Sequence, residues 1–281
     1  MAINKASLQS RINNLSKKTG VHQNILLRSF FFDAFLKRLS ISKYASNFVF
    51  KGGFLLSTSL GINFRATNDI DFLLKNTALE EENIISIMKE IASLNVGDNV
   101  KLSYKDFEEI REEDEYGGYK IIFEGRLENI KETISIDIAT GDPITPSDID
   151  YKYKCLLENQ ILDFKAYNFE TIIAEKLQTI LARGILNSRL KDYYDLYIIH
   201  KLRWNEISSE ILKRAFINTC EYRNTIYNKE EAFQILESVM TDNTMNSLWT
   251  NYKNKNKFVG DVEFKETTDV IKLVLDIIFK N

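Results

Sequence analysis

Asp69-Ile70-Asp71-Phe72 is the run of this sequence best suited to chemistry. In an extended strand residues i and i+2 share a face, so Asp69 and Asp71 project together while Ile70 and Phe72 point into a core. Two adjacent carboxylates repel and raise each other's proton affinity unless a cation sits between them. Hard oxygen ligands on a rigid strand suit Mg²⁺ (or Mn²⁺), which takes one or two carboxylates together with substrate phosphates. A third carboxylate, Asp137, lies in a second alternating run in which Ile134, Ile136 and Ile138 face the other way. If the two strands are neighbours, three carboxylates converge, the arrangement for two-metal phosphoryl or nucleotidyl transfer. On this reading Asp69, Asp71 and Asp137 hold the metal, the substrate is a nucleoside triphosphate, and Asp137 also activates the nucleophile. Lys51-Gly52-Gly53 falls between a short strand and a helix. Such a turn offers backbone N–H groups and the positive end of a helix dipole to a triphosphate. Arg65 and Arg183 are further phosphate candidates, because the guanidinium fork matches phosphate geometry.

These residues need an α+β scaffold. Helices are expected from Ser7, as cap, to Gly20 and from His22 to Leu39, the latter dense in apolar and aromatic residues at helical spacing. A short strand over Asn47–Phe50 leads into the glycine turn and a helix over Phe54–Leu60. Then come a strand over Asp69–Leu74, a helix over Leu79–Leu94, and strands over Val100–Tyr104, Tyr119–Arg126 and Thr133–Ala139. The last two can pair in a meander. The acidic run Asp106–Glu115 reads as a mobile loop or solvated hairpin end. After Pro143 and Pro146 the pattern turns helical, over Asn168–Arg183, Leu190–Lys201, Trp204–Thr219, Lys229–Met240 and Thr267–Phe279. Two domains follow: residues 1–145, N-terminal helices plus an α/β core, and residues 146–281, mainly helical.

The chain of 281 residues is 27% charged and 44% hydrophobic, which excludes a disordered chain or a fibrous repeat. No long uncharged apolar stretch suggests a membrane span. The first ten residues lack the apolar core of a secretory signal. The two cysteines, Cys155 and Cys220, fit no metal-ligand spacing, so free thiols in a reducing cytoplasm are expected. The formal charge of −3 hides an uneven distribution: residues 1–65 carry ten Lys and Arg against one acid, Asp33, and residues 66–150 carry eight against twenty-one acids. A positive N-terminal segment can meet a polyanion despite an acidic total. With only His22 and His200 in the chain, a histidine-based mechanism is not expected.

The run Phe50-Lys51-Gly52-Gly53-Phe54-Leu55-Leu56, then Arg65, Thr67 and Asp69-Ile70-Asp71-Phe72, resembles the abortive-infection AbiEii/AbiGii toxin family. Glu175-Lys176-Leu177 and Arg189-Leu190-Lys191-Asp192-Tyr193-Tyr194-Asp195-Leu196 resemble that family's later blocks, so the likeness covers about residues 45–200. The resemblance implies a minimal nucleotidyltransferase of the DNA polymerase β-like superfamily, with a mixed β-sheet core and a helical C-terminal half. It implies that Asp69 and Asp71 hold the metal, that Lys176 and Asp192 belong to the active centre, and that Lys51, Gly52, Gly53, Arg65, Thr67 and Lys176 meet the nucleotide. It further implies a toxin of a type IV toxin–antitoxin, phage-defence pair that adds nucleotides to the 3′ end of tRNA and so blocks translation. A DNA-binding antitoxin, encoded nearby, need not touch the toxin. Lys5, Arg11, Lys17 and Lys18 would then supply phosphate contacts to the RNA.

Two other readings remain open. A catalytically degenerate nucleotide-sensing or protein-binding module would account for Phe54, which stands where the family has a small hydroxyl residue. A sugar-nucleotide glycosyltransferase would also use Asp-x-Asp, but needs a larger domain ahead of it than 68 residues provide.

Overall fold

The computed structural model describes residues 3–76, 80–110 and 118–280. The chain forms two compact units, Met1–Gly141 with Ile149–Ala166, and Asp142–Asp148 with Tyr167–Asn281. The chain therefore visits the second unit briefly, returns to the first, and leaves again. A single division at 145/146 does not describe this path.

The first unit holds all seven strands found among the described residues, β1 (Phe48–Lys51), β2 (Asp69–Leu74), β3 (Lys101–Ile110), β4 (Gly118–Leu127), β5 (Ile130–Ala139), β6 (Ile149–Lys154) and β7 (Ile161–Ala166). They form one mixed sheet in the order β3-β4-β5-β2-β1-β7-β6, in which β2 pairs parallel with β5 and β1 parallel with β7. One face is apolar: Ile70, Phe72, Ile121, Phe123, Ile134, Ile136 and Ile138 are fully buried. Helix α2 (Gln23–Ile41) covers it, with Phe35 against Phe123 at 6.1 Å between ring centroids. A Cβ at Gly125 would strike the Phe31 ring, so glycine there lets α2 approach β4 closely. Helix α1 (Lys5–Thr19) packs outside α2 through Leu8 and Ile12, which puts its lysines on the helical side of the sheet. Its cap is Asn4, whose side chain accepts the Ser7 N–H at 2.9 Å, rather than Ser7 as the sequence suggested. Gly20, at φ 74°, ends it in the left-handed conformation. Helices α3 (Gly52–Leu60) and α4 (Glu81–Ser93) complete the unit.

The second unit holds α5 (Phe169–Arg183), α6 (Leu190–Arg203), α7 (Ser209–Tyr222), α8 (Lys229–Thr241), α9 (Asn243–Lys255) and α10 (Phe264–Ile278). Helix α5 packs on α6 and α7, and α10 buries Val270, Ile271, Val274, Leu275 and Ile278 against α6, α7 and α8.

Two features depart from the sequence reading. Strands β6 and β7 follow Pro146, where helices alone were expected. Along β6 only Tyr153 is buried, and its remaining residues are polar or exposed as befits an edge strand. Helix α9 was not anticipated; it buries Met245 and Trp249. Asp106, Glu108 and Glu109 of the acidic run lie exposed at the far end of the β3–β4 hairpin, the second of the two expectations for that run. The rest of the run, residues 111–115, lies outside the described residues, as does Leu79. Cys155 and Cys220 are both free and buried. Among the described residues no helix is long and apolar enough to cross a membrane.

Candidate active site

Alternation along β2 places Asp69 and Asp71 on the face opposite buried Ile70 and Phe72, and parallel pairing sets Asp71 directly beside Asp137 of β5. One ligand oxygen from each of Asp69, Asp71 and Asp137 lies within 4.8 Å of the other two. Three hard oxygen donors on two adjacent strands, half-buried and open on one side, fit a divalent cation of the Mg²⁺ or Mn²⁺ type.

The same row of the sheet continues outward on both sides. Lys51 of β1 registers with Asp71, and Lys120 of β4 registers with Asp137. Lys120 Nζ is 3.8 Å from Asp137 Oδ2. Two carboxylates are thus bracketed by two lysines across four strands. Lys120 escaped the sequence analysis because only the register of β4 against β5 puts it there.

The glycine turn touches this row. Gly52 has φ 66°, and a Cβ at this position would overlap the Asp71 carboxylate. Two independent constraints therefore require glycine at this site. The Gly53 N–H donates to Asp71 Oδ2 at 3.2 Å, at the N-terminus of α3. A Cβ on Gly53 would lie 3.1 Å from both Arg65 Nη2 and Thr67 Oγ1, so the guanidinium and the hydroxyl close over this turn. Buried Arg65 donates to the Ala66 carbonyl, and Thr67 Oγ1 donates to Asp69 Oδ1 at 2.5 Å. Arg28 of α2 was also missed. It donates to Glu132 Oε1 of β5 at 2.8 and 3.0 Å and to Asn68 Oδ1 at 2.8 Å, tying the loop before Asp69 to the strand that carries Asp137. Phe54 turns away from the cluster: its ring packs 5.3 Å from Phe32 and 5.8 Å from Tyr153, in the core.

Lys176 and Asp192 lie in the second unit. Lys176 Nζ of α5 is 2.7 Å from Asp192 Oδ1 and 2.8 Å from Asp195 Oδ2, both buried on α6, and Arg189 Nε donates to Asp192 Oδ2 at 3.0 Å. Burial opposes the Lys176 charge, but Asp192 and Asp195 outweigh it and hold its pKa above the ordinary lysine value. Burial likewise opposes the Asp192 carboxylate, and Lys176 and Arg189 overcome it and hold the group well below the usual carboxylate range. Asp195, three residues beyond Asp192, completes the clamp; the i, i+3 spacing on one helix face was its signal. His200 lies against Trp204 with ring centroids 4.9 Å apart and planes tilted by 56°.

The profile of the family described as nucleotidyl transferase AbiEii toxin, type IV TA system, matches residues 34–268. Among solved structures, a crystal structure assigned as a nucleotidyltransferase from H. pylori aligns with TM-score 0.51 at 16% identity, covering 92% of this chain and 96% of its own. JHP933 from Helicobacter pylori aligns with TM-score 0.48 at 17% identity over 92% of this chain and 94% of its own. No curated protein sequence matches the chain.

Proposed function

The chain belongs to the AbiEii family of type IV toxin–antitoxin nucleotidyltransferases, and from that premise we propose a metal-dependent transfer of a nucleotide to RNA. The donor is a nucleoside triphosphate, the acceptor the 3′ end of tRNA, and the outcome a block of translation and growth in a phage-defence setting. The observation that carries this reading is the convergence of Asp69, Asp71 and Asp137 beside the Gly52-Gly53 turn.

Asp69, Asp71 and Asp137 are the residues that would hold the cation. A divalent ion bound there supplies charge neutralisation at the α-phosphate and its leaving group. The remaining work belongs to the chain's own side chains and amides. The N-terminus of α3 and Lys51 receive the triphosphate, while Arg65 and Thr67 wall the turn against which it lies. Asp137 accepts the proton of the attacking ribose hydroxyl. The resemblance assigns Lys176 and Asp192 to the active centre, and Asp192 and Asp195 keep Lys176 charged. The family implies an antitoxin; in our reading it is encoded nearby, binds DNA, and shares the cytoplasm with the toxin. Because Phe54 packs into the core, the departure that would favour a degenerate nucleotide sensor or protein-binding module leaves the carboxylates clear.

The test is label transfer. Parent and Asp69→Asn proteins each meet bulk tRNA, Mg²⁺ and each of the four α-labelled nucleoside triphosphates. Label should enter tRNA with one or more nucleotides for the parent and with none for the variant. Nucleotide binding without transfer to any RNA would sink the reading in favour of a sensor.

A further inference from the structure

The face of the sheet that carries the three carboxylates also carries, farther along the strands, a row of three cations. Lys101 of β3 registers with Arg126 of β4, and Arg126 registers with Lys131 of β5. All three side chains are exposed. The unbroken pairing of β4 with β5 puts Arg126 on the same face as Lys120, and Lys131 on the same face as Asp137. Like charges directly opposite one another across strands are unfavourable. A single lysine on β3 would have an ordinary explanation, since lysines guard exposed sheet edges. That explanation stops at Lys101, because β4 and β5 are inner strands. Lys131 shares one nearby acid, Glu124, with Lys105, at 3.7 and 3.6 Å. One carboxylate does not balance this end of the face.

We propose that Lys101, Arg126 and Lys131 are the backbone-binding row for the RNA acceptor, which lies along β4 and β5 with its terminal hydroxyl at Asp137 and Lys120 beside its last phosphate. This rests on the nucleotidyltransferase reading above and extends it to the path of the acceptor. Lys131 and Asp137 are six residues apart on β5, about 20 Å in a strand, long enough for several nucleotides of backbone. The polarity follows from the Asp71 and Asp137 row. The glycine turn and Lys51 occupy its β1 end, which leaves its β4 end for the acceptor. Contacts of this kind grip phosphates and carry no base sequence. The lysines of α1 lie on the other side of the sheet, behind α2, and do not belong to this path.

The experiment uses the full chain and a K101Q/R126Q/K131Q variant, with a charge-matched K229Q/K265Q/K272Q variant on exposed positions of the second unit and a charge-conserving K101R/R126K/K131R variant. Bulk tRNA is the probe, in direct binding over a salt series and in label transfer. The row variant should raise the tRNA KM at least about tenfold, leave kcat at saturating tRNA within about twofold, and lower the slope of log affinity against log salt by about 2, from roughly 0.7 per single-strand phosphate contact. The other two variants should stay near the parent, and magnesium-nucleotide binding should be unchanged in all. An unchanged tRNA KM and salt slope in the row variant would overturn the proposal. Equal losses in the charge-matched variant would overturn it too, by tracing the effect to net charge. If the parent transfers no label, the nucleotidyl-transfer reading fails, and tRNA binding by parent and row variant still decides whether this face holds RNA.

Discussion

Two acidic clusters of the molecule are built in opposite ways. In the second unit, Asp192 and Asp195 close around Lys176 at 2.7 and 2.8 Å and are buried. Their cation is a covalent part of the chain, and the cluster is finished when the unit folds. In the first unit, Asp69, Asp71 and Asp137 crowd within 4.8 Å of one another, half-exposed, with Lys120 at 3.8 Å. There the positive charges bracket the group instead of filling it. The first of these clusters has its counter-charge at its centre, in Lys176, and the second has lysines only at its margins. Asp33 represents a third solution. It accepts bonds from Tyr153 Oη and from the Leu156 N–H at 2.8 Å, and burial, opposed by those bonds, pushes its pKa up to about 7. It meets burial with a raised proton affinity instead of a paired cation.

The contrast can be broken most sharply at Asp71. Asp71→Asn should reduce label transfer by about 10³-fold or more, the loss expected when several kcal/mol of charge stabilisation vanish. The same variant should keep or raise the urea midpoint, because it removes a like-charge repulsion. A lower midpoint with retained transfer would put Asp71 among the structural carboxylates. Asp195→Asn should do the reverse to stability. Taking one partner from a buried ion cluster costs about 3–5 kcal/mol, read as a lower urea midpoint for the second unit. An unchanged midpoint would mean the Lys176 cluster is not a structural clamp. Gly52→Ala should cost about 10²-fold in transfer through displacement of the Asp71 carboxylate, and near-parent kinetics would show that the turn has slack. The effect at Asp33 depends on pH. Its folded pKa of about 7 lies above the ordinary 3.8, so the folded state holds a proton that the unfolded chain has lost. Stability should therefore fall as pH rises from about 4 to 7. Asp33→Asn should flatten that slope in urea titrations at pH values across the window, and an unaltered slope would place the titration elsewhere.

The carboxylates were legible because period-two alternation is a local signal: Ile70 and Phe72 inward forces Asp69 and Asp71 outward. Asp137 was legible for the same reason, although its partnership with Asp71 depended on an assumed strand neighbour. Lys120, Arg28 and the Lys101, Arg126 and Lys131 row were not legible, because each takes its meaning from register between strands or from a helix crossing the sheet. The fold divides the same way. Helices with a cap and a glycine stop, such as α5 from Asn168 to Gly184, announced themselves. Strand β6, polar along most of its length, carried too little periodicity to be seen, whereas helix α9 has Met245, Leu248, Trp249 and Tyr252 at helical spacing and was passed over. The return of residues 149–166 to the first unit has no local signature, since it follows from β7 pairing with β1.

That late return has a consequence for synthesis. Strand β1, which leads into the glycine turn, has β2 as one neighbour and β7 as the other. The partner of Asp71 on β5 emerges 66 residues after it, and β7 is not complete until Ala166. Pairings between strands so distant in sequence form slowly and only once both are present. More than half of the chain must therefore leave the ribosome before the strands on both sides of the glycine turn and the carboxylates can pair.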